Sequence, residues 1–202
     1  MEGGAKLLVG AMLTLAMATA TLVVIPYFQL HDVKPPPGLK PYTEAELRGR
    51  QQYIAHGCVA CHSQQPRDAR QAPDALRGWG RASTAADYYY DRPHLLGTMR
   101  TGPDLMNIGA RQPSQDWHLG HLYQPRAFVP DSIMPPYPFL FEVRQEIGTN
   151  DVVVRLPPDA APHDGTVVAK PEALDLVSYL LSLDRTYPIQ PEDAIDLTSG
   201  AP

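Results

Sequence analysis

The chain has few cysteines and no excess of positive charge, and both absences restrict what it can be. Only two cysteines occur among 202 residues, too few for a disulfide-stabilised scaffold. The formal net charge is −5, whereas a nucleic-acid-binding domain is typically basic, so we predict no nucleic-acid partner. The acidic excess lies in residues 171–202, where Arg185 is the single basic residue, and we interpret it as a solvated helix face and tail.

One long apolar run dominates the N-terminal region. Residues 7–30 (LLVGAMLTLAMATATLVVIPYFQL) contain no charged residue, and as a helix they would extend roughly 36 Å, enough to cross a hydrocarbon core of about 30 Å. A cleaved signal peptide is the alternative, with ATA at 18–20 as its cleavage site. The run is long for a signal peptide and continues past that site, so we predict an uncleaved transmembrane anchor in a lipid bilayer.

The residues after the anchor predict an extended spacer and then a helix. Residues 31–42 contain three consecutive prolines, which favour a semi-rigid polyproline II arm. Thr43 and Glu46 have the spacing of a capping box, so a helix should begin at residue 44. This helix should end at Gly57 and lead directly into the two cysteines.

The rest of the chain predicts short helices joined by long loops. The high proline count, 22, favours short elements. We predict helices at about 85–90, 114–123 and 171–184, the last with Pro171 as its first residue. The β-branched runs at 151–156 and 166–169 predict a small hairpin.

Both cysteines lie in GCVACHS, residues 57–63, and their spacing limits their chemistry. A redox-active dithiol also uses Cys-x-x-Cys, but it follows a strand in a βαβ frame, whereas a helix precedes Cys58. Structural zinc takes four ligands, usually from two such pairs, and only one pair is present. Cys-x-x-Cys-His is the spacing for covalent haem c. We therefore predict thioether bonds from Cys58 and Cys61 to the two porphyrin vinyl groups, with His62 as the proximal iron ligand.

Other residues must supply the second iron ligand and hold the haem in place. The candidates for the distal ligand are Met99, Met106, Met134, His94, His118 and His121. We favour Met134, because SIMPPYPFL is a proline-stiffened loop and Met/His ligation suits electron transfer. The carbonyl of Pro103, in TGPDL, is a candidate hydrogen-bond acceptor for His62. Arg100 and Arg126 are candidates to bind the haem propionates.

The stretch WHLGH contains two further histidines with helical spacing. His118 and His121 lie three residues apart and could share a metal ion. No third ligand is evident in the sequence. We therefore interpret both as residues that pack or form hydrogen bonds near the haem.

Five stretches together resemble a known family. They are YIAHGCVACHSQ (53–64), YDRPHLLGTMRTGPDL (90–105), DWHLGHLYQPR (116–126), VPDSIMPPYPFL (129–140) and LVSYLLSLDR (176–185). With the anchor, these stretches resemble the membrane-anchored monohaem cytochrome c subunit of cbb3-type cytochrome c oxidases. The resemblance implies haem attachment at Cys58 and Cys61 and axial ligation by His62 and Met134. Residues 65–83 depart from the family pattern, and residues 142–170 look like an insertion.

The fold and domain organisation follow from these elements and from the resemblance. We predict an all-α fold, with one transmembrane helix, a cytochrome c-like haem domain with long loops, and a small β-hairpin insertion. The predicted boundaries are 1–30 for the anchor, 31–42 for the spacer, 43–186 for the haem domain and 187–202 for the acidic tail.

The resemblance implies an electron-transfer subunit rather than a catalytic one. It would accept electrons from another c-type cytochrome subunit and pass them to a haem–copper catalytic subunit that reduces oxygen. Because haem c is attached outside the bacterial inner membrane, the haem domain should be periplasmic and the N-terminus cytoplasmic. The alternatives are the monohaem subunit of a nitric oxide reductase, and a stand-alone anchored carrier or haem sensor.

Overall fold

The computed structural model describes residues 2–189, which form two compact units. One unit comprises residues 2–36 together with 84–89, and the other comprises residues 37–83 and 90–189. Most of the predicted acidic tail, from residue 190 onward, lies outside the described residues.

The first unit contains the long apolar helix. Helix α1 (Glu2–Thr19) continues through a π-helical turn (Ala20–Val24) into α2 (Ile25–Leu30). Pro26 explains the turn, because it has no N–H and its ring crowds the preceding carbonyls; wider π-helical spacing relieves this conflict. Gly3–Leu30 is long and apolar enough to cross a membrane, as the sequence predicted for this segment. The same unit contains a short 3-10 helix, Ala85–Tyr88, where a helix was predicted.

The described residues of the second unit form four α-helices: α3 (Glu44–Ala55), α4 (Ile108–Arg111), α5 (Gln115–Tyr123) and α6 (Pro171–Ser182). The predicted capping box is present, since Glu46 N donates to Thr43 Oγ1 and Thr43 N donates to Glu46 Oε2. Ser114 caps α5 in the same way by accepting from Trp117 N at 3.2 Å. The short helix α4 was not predicted.

The main contact of the second unit is the crossing of α3 and α6. At Gly49 the two backbones approach so closely that a Cβ atom would overlap Asp175 O and come within 2.8 Å of Tyr179 Cβ. Arg48 and Asp175 form an ion pair across the same crossing, with Nε 2.7 Å from Oδ2. The hydrophobic core lies around this crossing, and its most deeply buried members are Tyr53, Leu119, Ala173, Leu176, Val177, Tyr179 and Leu183.

A small antiparallel sheet lies between the loop that contains Met134 and helix α6. It comprises β1 (Phe141–Arg144), β2 (Val152–Val153) and β3 (Thr166–Ala169), in the order β1-β3-β2. The predicted pairing of β2 with β3 is present, but β1 was missed and also pairs with β3. Only Phe141 of β1 is buried, so this edge strand lacks the alternating pattern that would identify it. The protein is thus mostly helical with one three-stranded sheet, rather than all-α.

Replacement of Gly49 tests the α3–α6 crossing. An alanine there gains helix propensity of about 1 kcal/mol, but its methyl group meets backbone that cannot move aside, so Gly49→Ala should lower the free energy of unfolding by about 1–3 kcal/mol. Urea denaturation of the full-length chain in mild detergent measures the change. Gln51→Ala, at an exposed position of α3, is the matched control. A Gly49→Ala chain as stable as the wild type would contradict the close approach of α3 and α6 at Gly49.

Candidate functional site

The two cysteines lie on one tight turn directly after α3. Gly57 has a positive φ of 68°, which ends α3 and redirects the chain. A 3-10 turn follows at Cys58–Ala60, and both Cys61 N and His62 N donate to Cys58 O. Both thiols are free, with Cys58 half-buried and Cys61 exposed. The turn therefore presents two sulfurs and an imidazole from one short stretch of chain.

The environment of Cys58 does not suit a redox-active dithiol. Burial raises the pKa of the Cys58 thiol to about 11. Reactive cysteines of dithiol motifs instead have a lowered pKa, because the thiolate is the nucleophile. Cys58 is therefore a protonated thiol at neutral pH, which agrees with the sequence-based choice against a thioredoxin-like motif.

The imidazole of His62 is held through Nδ1, while Nε2 stays free. Nδ1 lies 2.8 Å from Pro103 O, the contact that the sequence predicted for these residues. This bond places the proton on Nδ1 and leaves the Nε2 lone pair available to a metal. Gly102 lies against the ring, and a Cβ atom there would overlap Cε1. Burial lowers the pKa of His62, which favours the neutral form that binds metals.

The loop that holds His62 is itself fastened by a buried carboxylate that sequence reasoning did not single out. Asp104 is fully buried and accepts from Ser63 Oγ at 2.6 Å, Gln65 N at 2.7 Å and Met106 N at 2.9 Å. Ser63 follows His62 in the chain and Asp104 follows Pro103. These bonds therefore join the two segments that contain the ligand and its hydrogen-bond partner. The TGPDL stretch contains Asp104 as well as Pro103, but only Pro103 was predicted to contact His62.

Arg100 lies in the same region, but most of its guanidinium is used within the protein. Nη1 contacts both carboxylate oxygens of Asp74, at 2.6 and 2.7 Å, and Nη2 donates to Gln65 O at 2.6 Å. Only its Nε is buried without a partner among the described residues. Arg126 is exposed. The predicted binding of haem propionates by these two arginines stays a prediction.

The environments of the distal-ligand candidates differ clearly. Met106 is buried in the interior and Met99 is exposed on a loop. His118 Nε2 lies 2.8 Å from Gln112 O and is thereby occupied. Met134 is half-buried and packs against the same core cluster as Cys58. Its loop is fastened by the bond from Tyr137 N to Leu122 O. The choice of Met134 as the distal ligand stays a prediction.

His121 is a polar group in an apolar setting. Its ring stacks on Trp117 with centroids 4.5 Å apart, and its Nδ1 is buried without a partner among the described residues. Burial lowers the pKa of His121 to about 4, and repulsion from His118 and His62 acts in the same direction. Within residues 2–189, no group of three or more His, Cys, Asp or Glu side chains could hold a metal ion. The contacts that the structure shows are the stacking of His121 on Trp117 and the hydrogen bond between His118 and Gln112 O.

A comparison with protein families gives the decisive observation. The model of the family described as "Cytochrome C oxidase, mono-heme subunit/FixO" matches residues 2–156. The chain belongs to this family. No curated protein gives a match to the chain. The matched range includes residues 65–83 and ends within 142–170, so α6 and the sequence LVSYLLSLDR lie beyond it.

The residues present fit the haem c of a mono-haem cytochrome c oxidase subunit. Cys58 and Cys61 are free thiols in the attachment spacing, and His62 is a neutral imidazole with its Nε2 available. Buried nitrogens without a partner among the described residues also occur around the site: Arg100 Nε, Arg111 Nε, His56 Nε2 and His121 Nδ1. Such atoms are rare in a complete protein, and their presence is consistent with a polar group that is bound in the mature subunit.

The ion pair between Arg100 and Asp74 gives a pH-dependent prediction. Arg100 holds the pKa of Asp74 below its usual range despite burial, so the pair stabilises the fold above about pH 3.9, the unfolded value. This stabilisation is lost as the pH falls through the lower, folded pKa. Asp74→Asn should therefore reduce the free energy of unfolding by on the order of 3 kcal/mol at pH 7.

Urea denaturation of the full-length chain at pH 7 and at pH 3 measures this effect. The difference between wild type and Asp74→Asn should narrow at the lower pH. Asp68→Asn, an exposed position in the same segment, is the control and should change stability little at either pH. If Asp74→Asn lowers the free energy of unfolding equally at both pH values, the ion pair is not the source of the pH dependence.

Proposed function

We propose that this chain relays single electrons within a cbb3-type cytochrome c oxidase. It would accept them from another c-type cytochrome subunit and pass them to a haem–copper catalytic subunit that reduces oxygen. One observation carries the proposal: the CVACH turn presents His62 with Nδ1 fixed by Pro103, in a chain of the mono-haem oxidase subunit family. The chain itself would be a non-catalytic subunit of an oxidoreductase complex.

Four residues would hold the haem. Each thiol, of Cys58 and of Cys61, would add across one porphyrin vinyl group to form a thioether without a leaving group. His62 Nε2 and Met134 Sδ would be the axial ligands of the iron. When bound, haem c supplies a reversible one-electron couple, and Met/His ligation raises its potential.

Electron transfer fits these residues better than catalysis does. If His62 and Met134 both bind the iron, no ligand position would remain open for oxygen. Prolines on both sides of Tyr137 and directly after Met134 stiffen the distal loop, which lowers the entropy lost when a weak thioether ligand is held in place. Arg126 is the better candidate partner for a propionate, because Asp74 and Gln65 already use most of the Arg100 guanidinium.

The membrane arrangement follows from the helix and from the haem chemistry. The apolar helix Gly3–Leu30 would cross the bacterial inner membrane once. Because haem c is attached on the periplasmic side, the haem domain would be periplasmic and the N-terminus cytoplasmic. The anchor would keep the haem close to the catalytic subunit, which lies in the same bilayer.

Replacement of Met134 tests the proposed distal ligand. Met134→Ala should retain the covalent haem, because both thiols remain, but should lose the low-spin Met/His absorption spectrum. Met99→Ala, which removes an exposed methionine from another loop, should change neither property. If the Met/His spectrum survives unchanged in Met134→Ala, another residue is the ligand.

The function of the complex requires a separate measurement. The chain is purified in mild detergent with whatever binds to it, and its haems are identified by pyridine haemochrome spectra. Several haems c with haem b, together with oxygen uptake, would support the proposal. Haem b with this haem c alone, together with nitric oxide uptake, would indicate a nitric oxide reductase. Haem c without any partner would indicate a stand-alone carrier.

A further inference from the structure

Asp104 is a fully buried carboxylate next to the proximal histidine, and its charge has a consequence beyond holding the loop. All of its bonded partners are donors: Ser63 Oγ, Gln65 N and Met106 N. Burial raises the pKa of Asp104, and these hydrogen bonds oppose that shift because they favour the ionised form. A buried negative charge is screened weakly by solvent, so it acts on neighbouring groups more strongly than a surface charge does.

Other charges around His62 partly oppose Asp104 but do not cancel it. Arg100 Nη2 lies 3.8 Å from Asp104 Oδ2, but the same guanidinium is closer to Asp74, at 2.6 Å. Arg111 donates to the backbone carbonyl of Asp104 rather than to its carboxylate. The carboxylate itself is bonded to Ser63, the residue directly after His62, and its ion-pair partner Arg100 is 3.8 Å away. The negative charge of Asp104 therefore lies beside the segment that holds His62 and is paired only loosely.

We propose that Asp104 is a positioning residue that fastens the His62 loop and whose negative charge lowers the midpoint potential of the haem iron. This inference rests on the proposed function, because it requires haem c on His62. The physical reason is that reduction of the iron removes one positive charge. A fixed negative charge behind the proximal ligand stabilises the oxidised form more than the reduced form.

A purely structural role for Asp104 would have the opposite signature. If Asp104 only fastened the loop, its replacement would loosen the site and admit water. Water stabilises the more highly charged oxidised iron, so the midpoint potential would fall. Loss of the negative charge raises the potential instead. The sign of the change thus separates the two roles.

The experiment is a potentiometric titration of the haem-loaded, detergent-purified protein at neutral pH. Asp104→Asn keeps the shape of the side chain and removes its charge. We expect about a tenfold shift of the one-electron equilibrium toward the reduced form, equal to about +59 mV. Asp104→Glu retains the charge and should restore a potential close to that of the wild type. Asp175→Asn removes an equal charge from the α3–α6 ion pair and should leave the potential unchanged.

A second variant covers the case in which Asp104→Asn does not mature. Asp74→Asn leaves the bonds of Asp104 in place, removes a nearby negative charge and frees Arg100 to pair with Asp104. Both changes make the field near the haem iron less negative, so the potential should rise.

The outcomes separate this inference from the function on which it rests. A wild-type chain without covalent haem in the pyridine haemochrome assay would contradict both. A haem-loaded Asp104→Asn protein that keeps the Met/His spectrum, but whose potential is unchanged or lower, would overturn the inference and leave the proposed function intact. If Asp104→Asn does not mature, an unchanged or lower potential in Asp74→Asn would overturn the inference as well.

Discussion

The hydrogen bond from His62 Nδ1 to Pro103 O is the interaction on which the site depends. It fixes the tautomer and the orientation of the ring. Its acceptor is the carbonyl of a proline, a residue without a backbone N–H. Gly102 then allows the loop to lie against the ring. Asp104 fastens the loop to the chain beyond His62 through Ser63. Three consecutive residues thus hold one imidazole by a hydrogen bond, by contact and by an anchored backbone.

The α3–α6 crossing places this arrangement at a fixed position in the second unit. Gly49 lets the two helices touch, and Tyr53 and Tyr179 pack edge to face beside it, with ring centroids 5.6 Å apart. Because Gly57 redirects the chain directly after α3, the position of the crossing determines where the cysteine turn begins. A shift in helix packing would therefore move the proposed haem site, although no residue of the crossing belongs to that site.

Much of the fold and of the site could be predicted from local patterns, and the misses have a common physical cause. The capping box at Thr43, the Cys-x-x-Cys-His spacing and the free carbonyl of Pro103 are properties of a few neighbouring residues. The pairing of Arg100 with Asp74 joins positions 26 residues apart, and that of Ser63 with Asp104 joins positions 41 apart. No periodicity marks such contacts. Strand β1 was missed for a related reason, since its partner β3 lies far along the chain.

If Cys58 and Cys61 hold the proposed haem, the half-buried state of Cys58 constrains the order of assembly. In the finished fold this sulfur is partly covered and protonated, whereas its neighbour Cys61 is exposed. Under the proposed function a porphyrin would bring one vinyl group to each sulfur, so the covered sulfur would have to be reached while the chain is still open. Haem attachment would then come before the core closes around Cys58.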